Sequence, residues 1–194
     1  KRQDEAGVRV RATVSPKREL GIRAVVDGWR RLSTGALNTV LFTRLDWRVT
    51  SSWSWATWAE YRNAGAQRFT IATRVFFDPV HSVTVSGQLQ YRWGGRLGGA
   101  PLQQDLAAIF NLIARPVEAL RVQLRLRYDF DDVWSNHRLP QTLWSYVDVG
   151  LTLRERDLLR CRYDVRLFLD ERESTRARVP NPEHWLWVEY VFRY

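Results

Sequence analysis

The sequence predicts an all-β fold of about eleven antiparallel strands, and three features of the chain lead to this prediction. Polar and apolar residues alternate with a period of two, which places them on opposite faces of a strand. Most of the predicted strands reach the roughly 9–11 residues that a tilted strand needs to cross a bilayer, whereas soluble strands average about 5–6 residues. Short and long links alternate between the strands. Together these features favour one continuous antiparallel sheet over a soluble sandwich.

The alternation is clearest between Leu120 and Phe130, where apolar residues share one face and the other face carries charge. Residues 159–170 repeat the pattern, and the same reading extends along the whole chain. The complete set of predicted strands is 6–14, 20–29, 37–49, 53–62, 68–77, 82–93, 104–114, 120–130, 142–154, 158–170 and 184–194. No segment of the chain has a convincing helical stripe.

The links between these strands are predicted to differ in length at the two ends of the sheet. The short links are expected at 16–18, 50–52, 78–81, 116–118 and 155–157. The long links are expected at 30–36, 63–67, 94–103, 131–141 and 171–183. Short turns at one end and long loops at the other are typical of membrane barrels.

Composition narrows the possible classes further. The 194 residues include 30 Lys and Arg against 21 Asp and Glu, which gives a net charge of +9, and 10 residues are Trp. With 45% hydrophobic residues the chain is not of the disordered class. Its single cysteine, Cys161, excludes an internal disulfide and a Cys-based zinc site. We expect neither a metal nor a cofactor.

The last ten residues carry a recognisable pattern of apolar and aromatic side chains at alternate positions, ending on an aromatic residue. These positions are Leu186, Val188, Tyr190, Phe192 and Tyr194. The pattern resembles the C-terminal signature of bacterial outer-membrane β-barrel proteins, although most members end in Phe. The resemblance implies a location in the outer membrane of a Gram-negative bacterium and a transient partner, the barrel-assembly machinery. It singles out no subfamily.

The physical chemistry of the bilayer supports the same expectation. Every backbone polar group in hydrocarbon needs an internal partner, so strands span a membrane only as a closed barrel. We therefore expect residues 1–194 to form one transmembrane β-barrel domain, with apolar faces towards lipid and charged faces towards the lumen. Bacterial barrels have even strand counts, whereas both the first and the last predicted strand descend towards the periplasm. We therefore expect twelve or more strands, the missing one supplied by an upstream segment or another chain.

The charged faces supply the candidate site, a lumen rich in arginine with interleaved carboxylates. The predicted lumen-lining arginines are Arg9, Arg11, Arg23, Arg44, Arg48, Arg74, Arg92, Arg121, Arg125, Arg127, Arg160, Arg162, Arg166 and Arg193. The predicted lumen-lining carboxylates are Asp27, Asp46, Glu60, Asp129, Asp148, Asp164, Asp170 and Glu189. A basic wall favours anions in a pore. Alternatively, arginine–carboxylate pairs between neighbouring strands fill and rigidify a narrow lumen.

Three further alternatives remain open from the sequence. The barrel is a pore or the membrane-embedded subunit of a larger complex, or it is a non-conducting anchor for a partner chain. A soluble protein that binds nucleic acid would use the arginines on phosphates and the tryptophans on bases, but the long strands and the terminal Tyr194 argue against it. We expect no nucleic-acid partner.

The predicted loops contain polar residues that are candidates for catalysis or for lipid binding. Ser135 and His137 lie in a predicted loop without an identifiable third group, so we expect no catalytic residues. Arginines at the long-loop end are candidates for pairing with lipopolysaccharide phosphates, because Arg binds phosphate in bidentate fashion. They are Arg30, Arg31, Arg62, Arg68, Arg96, Arg138, Arg172, Arg176 and Arg178.

Overall fold

The strands of the chain follow one another closely in sequence. The computed structural model describes residues 5–95, 103–131, 133, 141–153, 157–169 and 182–192. These residues form the strands β1 Glu5–Lys17, β2 Leu20–Arg31, β3 Leu37–Arg48, β4 Trp53–Asn63, β5 Gln67–Val80, β6 Val83–Gly94, β7 Gln103–Val117, β8 Leu120–Phe130, β9 Gln141–Leu153, β10 Asp157–Phe168 and β11 Glu183–Val191. Most bounds lie within three residues of those predicted from the alternation.

The eleven described strands belong to one sheet in which each strand pairs with its neighbours in sequence order. The strand pairs within β1–β4 and within β8–β11 are antiparallel, as in β8 and β9, where Leu124 faces Val147 and Gln123 faces Asp148. In this order β1 hydrogen-bonds to β2 and β11 hydrogen-bonds to β10, so these two strands end the sheet. The prediction of an all-β, antiparallel chain is confirmed.

The chain divides into two compact units. One consists of Lys1–Val75 with Leu89–Leu106, and the other of Phe76–Gln88 with Ala107–Tyr194. The first unit contains β1 to β4, and the second contains β8 to β11.

Burial within the strands is inverted relative to a soluble protein. Asp148 is 2% exposed and Asp164 is 4% exposed, whereas Val188 is 67% exposed and Val8 is 70% exposed. In the middle of β6 and β10 the more buried positions alternate with exposed ones, so they lie on one face of the sheet, whereas β1 and β11 are exposed along almost their whole length. A contiguous apolar surface of this kind needs an apolar environment to cover it. Among the described residues, no helix is long and apolar enough to cross a membrane.

The links differ from the prediction in one respect. The expected long link at 63–67 contains only residues 64–66, whereas four residues, 49–52, separate β3 from β4. Gly65 allows this tight connection because its φ of 83° lies in the left-handed region, which side chains with a Cβ rarely adopt. The expected rule that long links always alternate with short ones is therefore wrong at the β4–β5 connection.

Three strands run further than predicted because proline does not end them. β1 continues through Pro16 to Lys17, β5 through Pro79 to Val80, and β7 through Pro116 to Val117. Proline lacks a backbone donor, and at the end of a strand that donor does not have to pair. The prolines therefore indicated the approximate positions of the turns, but the strand ends predicted from them were too early in the sequence.

The inverted burial predicts how charge is tolerated on the apolar face of β9. Val147 lies in the middle of that strand and Leu153 at its end, with exposures of 42% and 36%. In a bilayer, Val147→Arg is expected to destabilise the protein by about 2–4 kcal/mol, and Leu153→Arg by less than about 1 kcal/mol, because the cost falls towards the interface. Denaturant unfolding of the protein in lipid vesicles measures both. Equal effects of the two substitutions would contradict a membrane-spanning sheet.

Candidate functional site

Within each compact unit, the predicted lumen residues on strands of known register share one face of the sheet, which we call the polar face. On β8 this face carries Arg121, Arg125, Arg127 and Asp129, and the register sets Gln123 of the same face opposite Asp148. On β10 the polar face carries Arg160, Arg162, Asp164 and Arg166. Arg44, Arg48, Asp46 and Glu60 lie on the polar face of β3 and β4, and Arg9, Arg11, Arg23 and Asp27 on that of β1 and β2. Asp170, Arg193 and Tyr194 lie outside the described residues.

Several arginines bind a carboxylate two residues further along the same strand. The ion-pair distances are 2.6 Å for Arg44 and Asp46, 2.7 Å for Arg127 and Asp129, and 2.7 Å for Arg162 and Asp164. Residues two apart in a strand point to the same side, so an Arg-x-Asp sequence brings the two groups together without a partner strand. Arg62 and Glu60 make a similar contact at 3.2 Å.

Other pairs connect neighbouring strands. Arg160 on β10 donates two hydrogen bonds to Asp148 on β9, at 2.8 and 2.6 Å, and lies 3.9 Å from Glu189 on β11. The register sets Gly150 opposite Arg160, and Asp148 lies two residues before Gly150 on the same face of β9. Arg9 pairs with Asp27 in the same way across β1 and β2.

The sequence therefore predicted only some of the ion pairs that the structure contains. It expected pairs between neighbouring strands, but the pairs within β3, β8 and β10 are as short as those between strands. One cross-strand carboxylate was missed: Asp105, on β7, lies 3.9 Å from Arg92. Its alternation with apolar residues in β7 was the available signal.

Arginine is in excess once these pairs are made. Each predicted polar-face carboxylate that the structure describes lies beside an arginine. Arg11, Arg23, Arg48 and Arg166 belong to no ion pair with a described carboxylate. The polar face therefore keeps a positive charge that its own acids do not neutralise.

Aromatic rings hold several of the arginines in place. In the first unit, Arg44 and Arg74 each place a guanidinium carbon 5.8 Å from the centre of the Trp58 ring. In the second unit, Arg125 and Arg162 lie 5.7 and 5.6 Å from the centre of the Trp144 ring. These are cation–π distances. A tryptophan between two arginines keeps both guanidinium groups oriented on the polar face.

The sequence analysis missed these tryptophans as site residues. The sequence contained a signal for the polar face, since Trp58 lies two residues before Glu60, and Trp187 lies two residues before Glu189. In β4 the apolar face carries further tryptophans, Trp53 and Trp55. Composition alone could not separate the polar-face rings from those on the apolar face.

A network of polar contacts links β8, β9 and β10 around Trp144 and Tyr146. Arg121 donates to Gln123 at 2.6 Å, and Gln123 donates to the hydroxyl of Tyr146 at 2.8 Å. Arg162 lies 4.0 Å from the centre of the Tyr146 ring, and Trp144 donates its indole N–H to Asp164 at 2.9 Å. The network fixes the side chains that bound the adjacent cavity.

A cavity of about 1040 Å³ lies along β8 to β11 in the second unit, lined mainly by the polar face and also by Val188 and Tyr190 of β11. Its basic side chains are Arg127, Arg160, Arg162 and Arg166, and its tryptophans are Trp144, Trp185 and Trp187. Asp129, Asp164 and Glu189 are the carboxylates of the lining. The ion pairs therefore do not fill this part of the polar face.

Within the part of the chain that the structure describes, the other candidate groups form no reactive arrangement. The described residues contain no cluster of three or more His, Cys, Asp and Glu that could hold a metal ion. His184 stacks on Tyr163 and its Nδ1 lies 2.7 Å from the Tyr163 hydroxyl, on the apolar face. Ser135 and His137 lie outside the described residues. Leu186, Val188 and Tyr190 share the apolar face of β11 with Phe192 just beyond it, and all four are exposed.

The buried carboxylate Asp148 makes a stability prediction possible. Replacing Arg160 by Gln leaves this carboxylate, 2% exposed, without its ion pair, and we expect a loss of about 3 kcal/mol in the free energy of unfolding. The matched change Arg9→Gln removes a partner that is 62% exposed, and we expect it to cost less than about 1 kcal/mol. Urea unfolding of both variants in detergent micelles measures the difference. If the two losses were equal, burial of Asp148 would not be what makes the pair important.

Comparison with known proteins gives similarity of fold. No protein family and no curated protein matches the chain. The solved structure described as "NanC porin structure in rhombohedral crystal form" aligns with 98% of this chain and 94% of its own, at 10% identity and a TM-score of 0.55. A structure described as "Unveiling the Mechanism Behind the in-meso Crystallization of Membrane Proteins" aligns with 99% of this chain and 78% of its own, at 14% identity and a TM-score of 0.48. The eleven-stranded antiparallel sheet of this chain is therefore similar in fold to that of a porin β-barrel.

Proposed function

We propose that the chain forms an outer-membrane pore whose arginine-rich lumen favours anions. The observation that carries the proposal is the excess of arginine on the polar face after its carboxylates have been paired. Charged rings of one sign select ions of the other sign in channels. The similarity in fold to a porin supports a channel role.

The cavity supports a conducting lumen rather than a closed one. Arginine–carboxylate pairs that bridged the whole polar face would leave no space for a solute. Between β8 and β11, however, the paired groups lie along the strands and an open volume of about 1040 Å³ remains beside them. The within-strand pairs thus neutralise charge without crossing the path of an ion.

The apolar face supports insertion into a membrane. Trp47 and Trp55 lie with their ring centres 6.3 Å apart beside the link 49–52, and both are exposed on the apolar face. Amphipathic rings near strand ends suit the membrane–water interface. The proposed location is the bacterial outer membrane, with its lipids as the surrounding partner.

A second candidate is an anchor or membrane subunit of a larger complex, and the edge strands favour it. Nearly every residue of β1 is exposed, and β1 and β11 each pair with a single neighbouring strand. Unpaired strand edges are costly in a bilayer and recruit further strands. A strand from an upstream segment or from another chain would satisfy either edge.

Two further partners remain proposals. The exposed apolar positions of β11 suit recognition by the barrel-assembly machinery, together with Tyr194 beyond it. For lipopolysaccharide, Arg68 is a candidate at the end of β5, whereas Arg30 donates to the carbonyl of Gly35 at 3.2 Å and Arg62 pairs with Glu60. These contacts reduce the share of those two arginines available for lipid phosphates.

The exposed apolar face argues against a soluble nucleic-acid-binding protein. Such a protein would pack its apolar faces into a core. In the described residues, Leu186 and Val188 are each 67% exposed and Val8 is 70% exposed. We therefore propose no nucleic-acid partner.

Ion selectivity tests the pore. We expect steady conductance in a planar bilayer, with a reversal potential under a salt gradient that shows preference for chloride over potassium. The double variant Arg11→Gln with Arg23→Gln removes two charges that no described carboxylate neutralises, so the ratio of chloride to potassium permeability should fall by about twofold or more.

The matched control removes an ion pair as a unit. Arg9→Gln combined with Asp27→Asn leaves the net charge unchanged, so the permeability ratio should stay at the wild-type value. An inserted protein that never conducts would favour the anchor over the pore. A cation-selective wild type would contradict the role of the excess arginine.

A further inference from the structure

The cavity of the second unit has two aromatic sides. Trp144 on β9 and Trp185 on β11 both line it and lie on either side of β10. Two strand spacings and a register offset of two residues separate these side chains at their bases, about 12 Å. Arg125 and Arg162 already lie against the Trp144 ring, so a flat ring in this space has Trp185 as its aromatic contact.

Two carboxylates that line the cavity, Asp164 and Asp129, already accept hydrogen bonds from other side chains of the protein. Asp164 accepts hydrogen bonds from Arg162 and from the indole of Trp144, and it is 4% exposed. Asp129 accepts three hydrogen bonds from Arg127. Few side chains are therefore left to satisfy a ligand with many hydroxyl groups, which disfavours a sugar.

Arg166 is the basic group of the lining that remains available. It lies over the ring of Phe168 at 4.9 Å, and it belongs to no ion pair with a described carboxylate, although Glu183 is its register partner. The register also sets it opposite Trp144. The lining contains one more arginine than carboxylate, so its charge suits a ligand with one negative charge.

We propose that this cavity binds an aromatic monocarboxylate, with its carboxylate on Arg166 and its ring against Trp185. Arginine presents a planar fork that binds a carboxylate through two N–H groups. Aromatic rings pair favourably in offset or edge-to-face arrangements. The inference names a substrate class for the pore and rests on that proposed function, but binding itself does not require conduction.

Calorimetric titration of the refolded full chain in detergent micelles tests the proposal, with benzoate as the probe. Acetate carries the charge without the ring, and benzyl alcohol carries the ring without the charge. We expect saturable binding of benzoate and at least about tenfold weaker binding of both comparators. Glucuronate, a sugar ring with a carboxylate, should also bind more weakly. Glucuronate binding as tightly as benzoate would overturn the choice of an aromatic ligand.

Two substitutions assign the contacts. Arg166→Gln should weaken benzoate binding by at least about tenfold, because a hydrogen bond to a charged group is lost. Trp185→Leu should weaken it by about three- to tenfold. The matched controls are Arg18→Gln, in the link between β1 and β2, and Trp53→Leu, on the apolar face of β4, and neither should change benzoate binding. Circular dichroism checks that each variant keeps its strands.

The outcomes separate this inference from the pore. If the protein conducts anions but shows no saturable benzoate binding, the inference is wrong and the pore stands. If Arg166→Gln keeps full affinity, the carboxylate site is wrong. If benzoate binds as expected but the inserted protein is silent in a bilayer, the site stands and the proposed pore is wrong.

Discussion

The pairing of arginine with carboxylate on one face of the sheet is the interaction on which the other features depend. Asp148 and Asp164 are 2% and 4% exposed, and a buried carboxylate without a partner would destabilise the fold strongly. Arg160 and Arg162 neutralise them. This pairing lets a strongly charged face be the buried one.

The geometry of the pairs also determines what space is left. Pairs that run along a strand, such as Arg162 with Asp164, consume charge without bridging the polar face. The tryptophans then orient the same arginines, as Trp144 does for Arg125 and Arg162. The result is a face with a net positive charge, fixed side chains and an open cavity, which are the properties that the proposed pore and its proposed ligand need.

The opposite face follows from the same alternation. Most residues that turn their charge to the polar face have neighbours in sequence that turn an apolar side chain to the other side. Val147 is therefore 42% exposed, between the polar-face residues Tyr146 and Asp148, which are 8% and 2% exposed. One local rule thus produces both a surface suited to lipid and a surface suited to ions.

The sequence by itself determined the strands and the two faces, because a period of two is a local property that any strand translates into geometry. Residues 120–130 were assigned with the same bounds as in the structure. Which groups meet was decided only by the tertiary structure. The register brings Arg160 to Asp148 and Gly150 opposite it, and the tight turn at Gly65 shortens a link that composition suggested was long. Partners on different strands depend on register, and a register is set by backbone hydrogen bonds and turns rather than by the periodicity of a single strand.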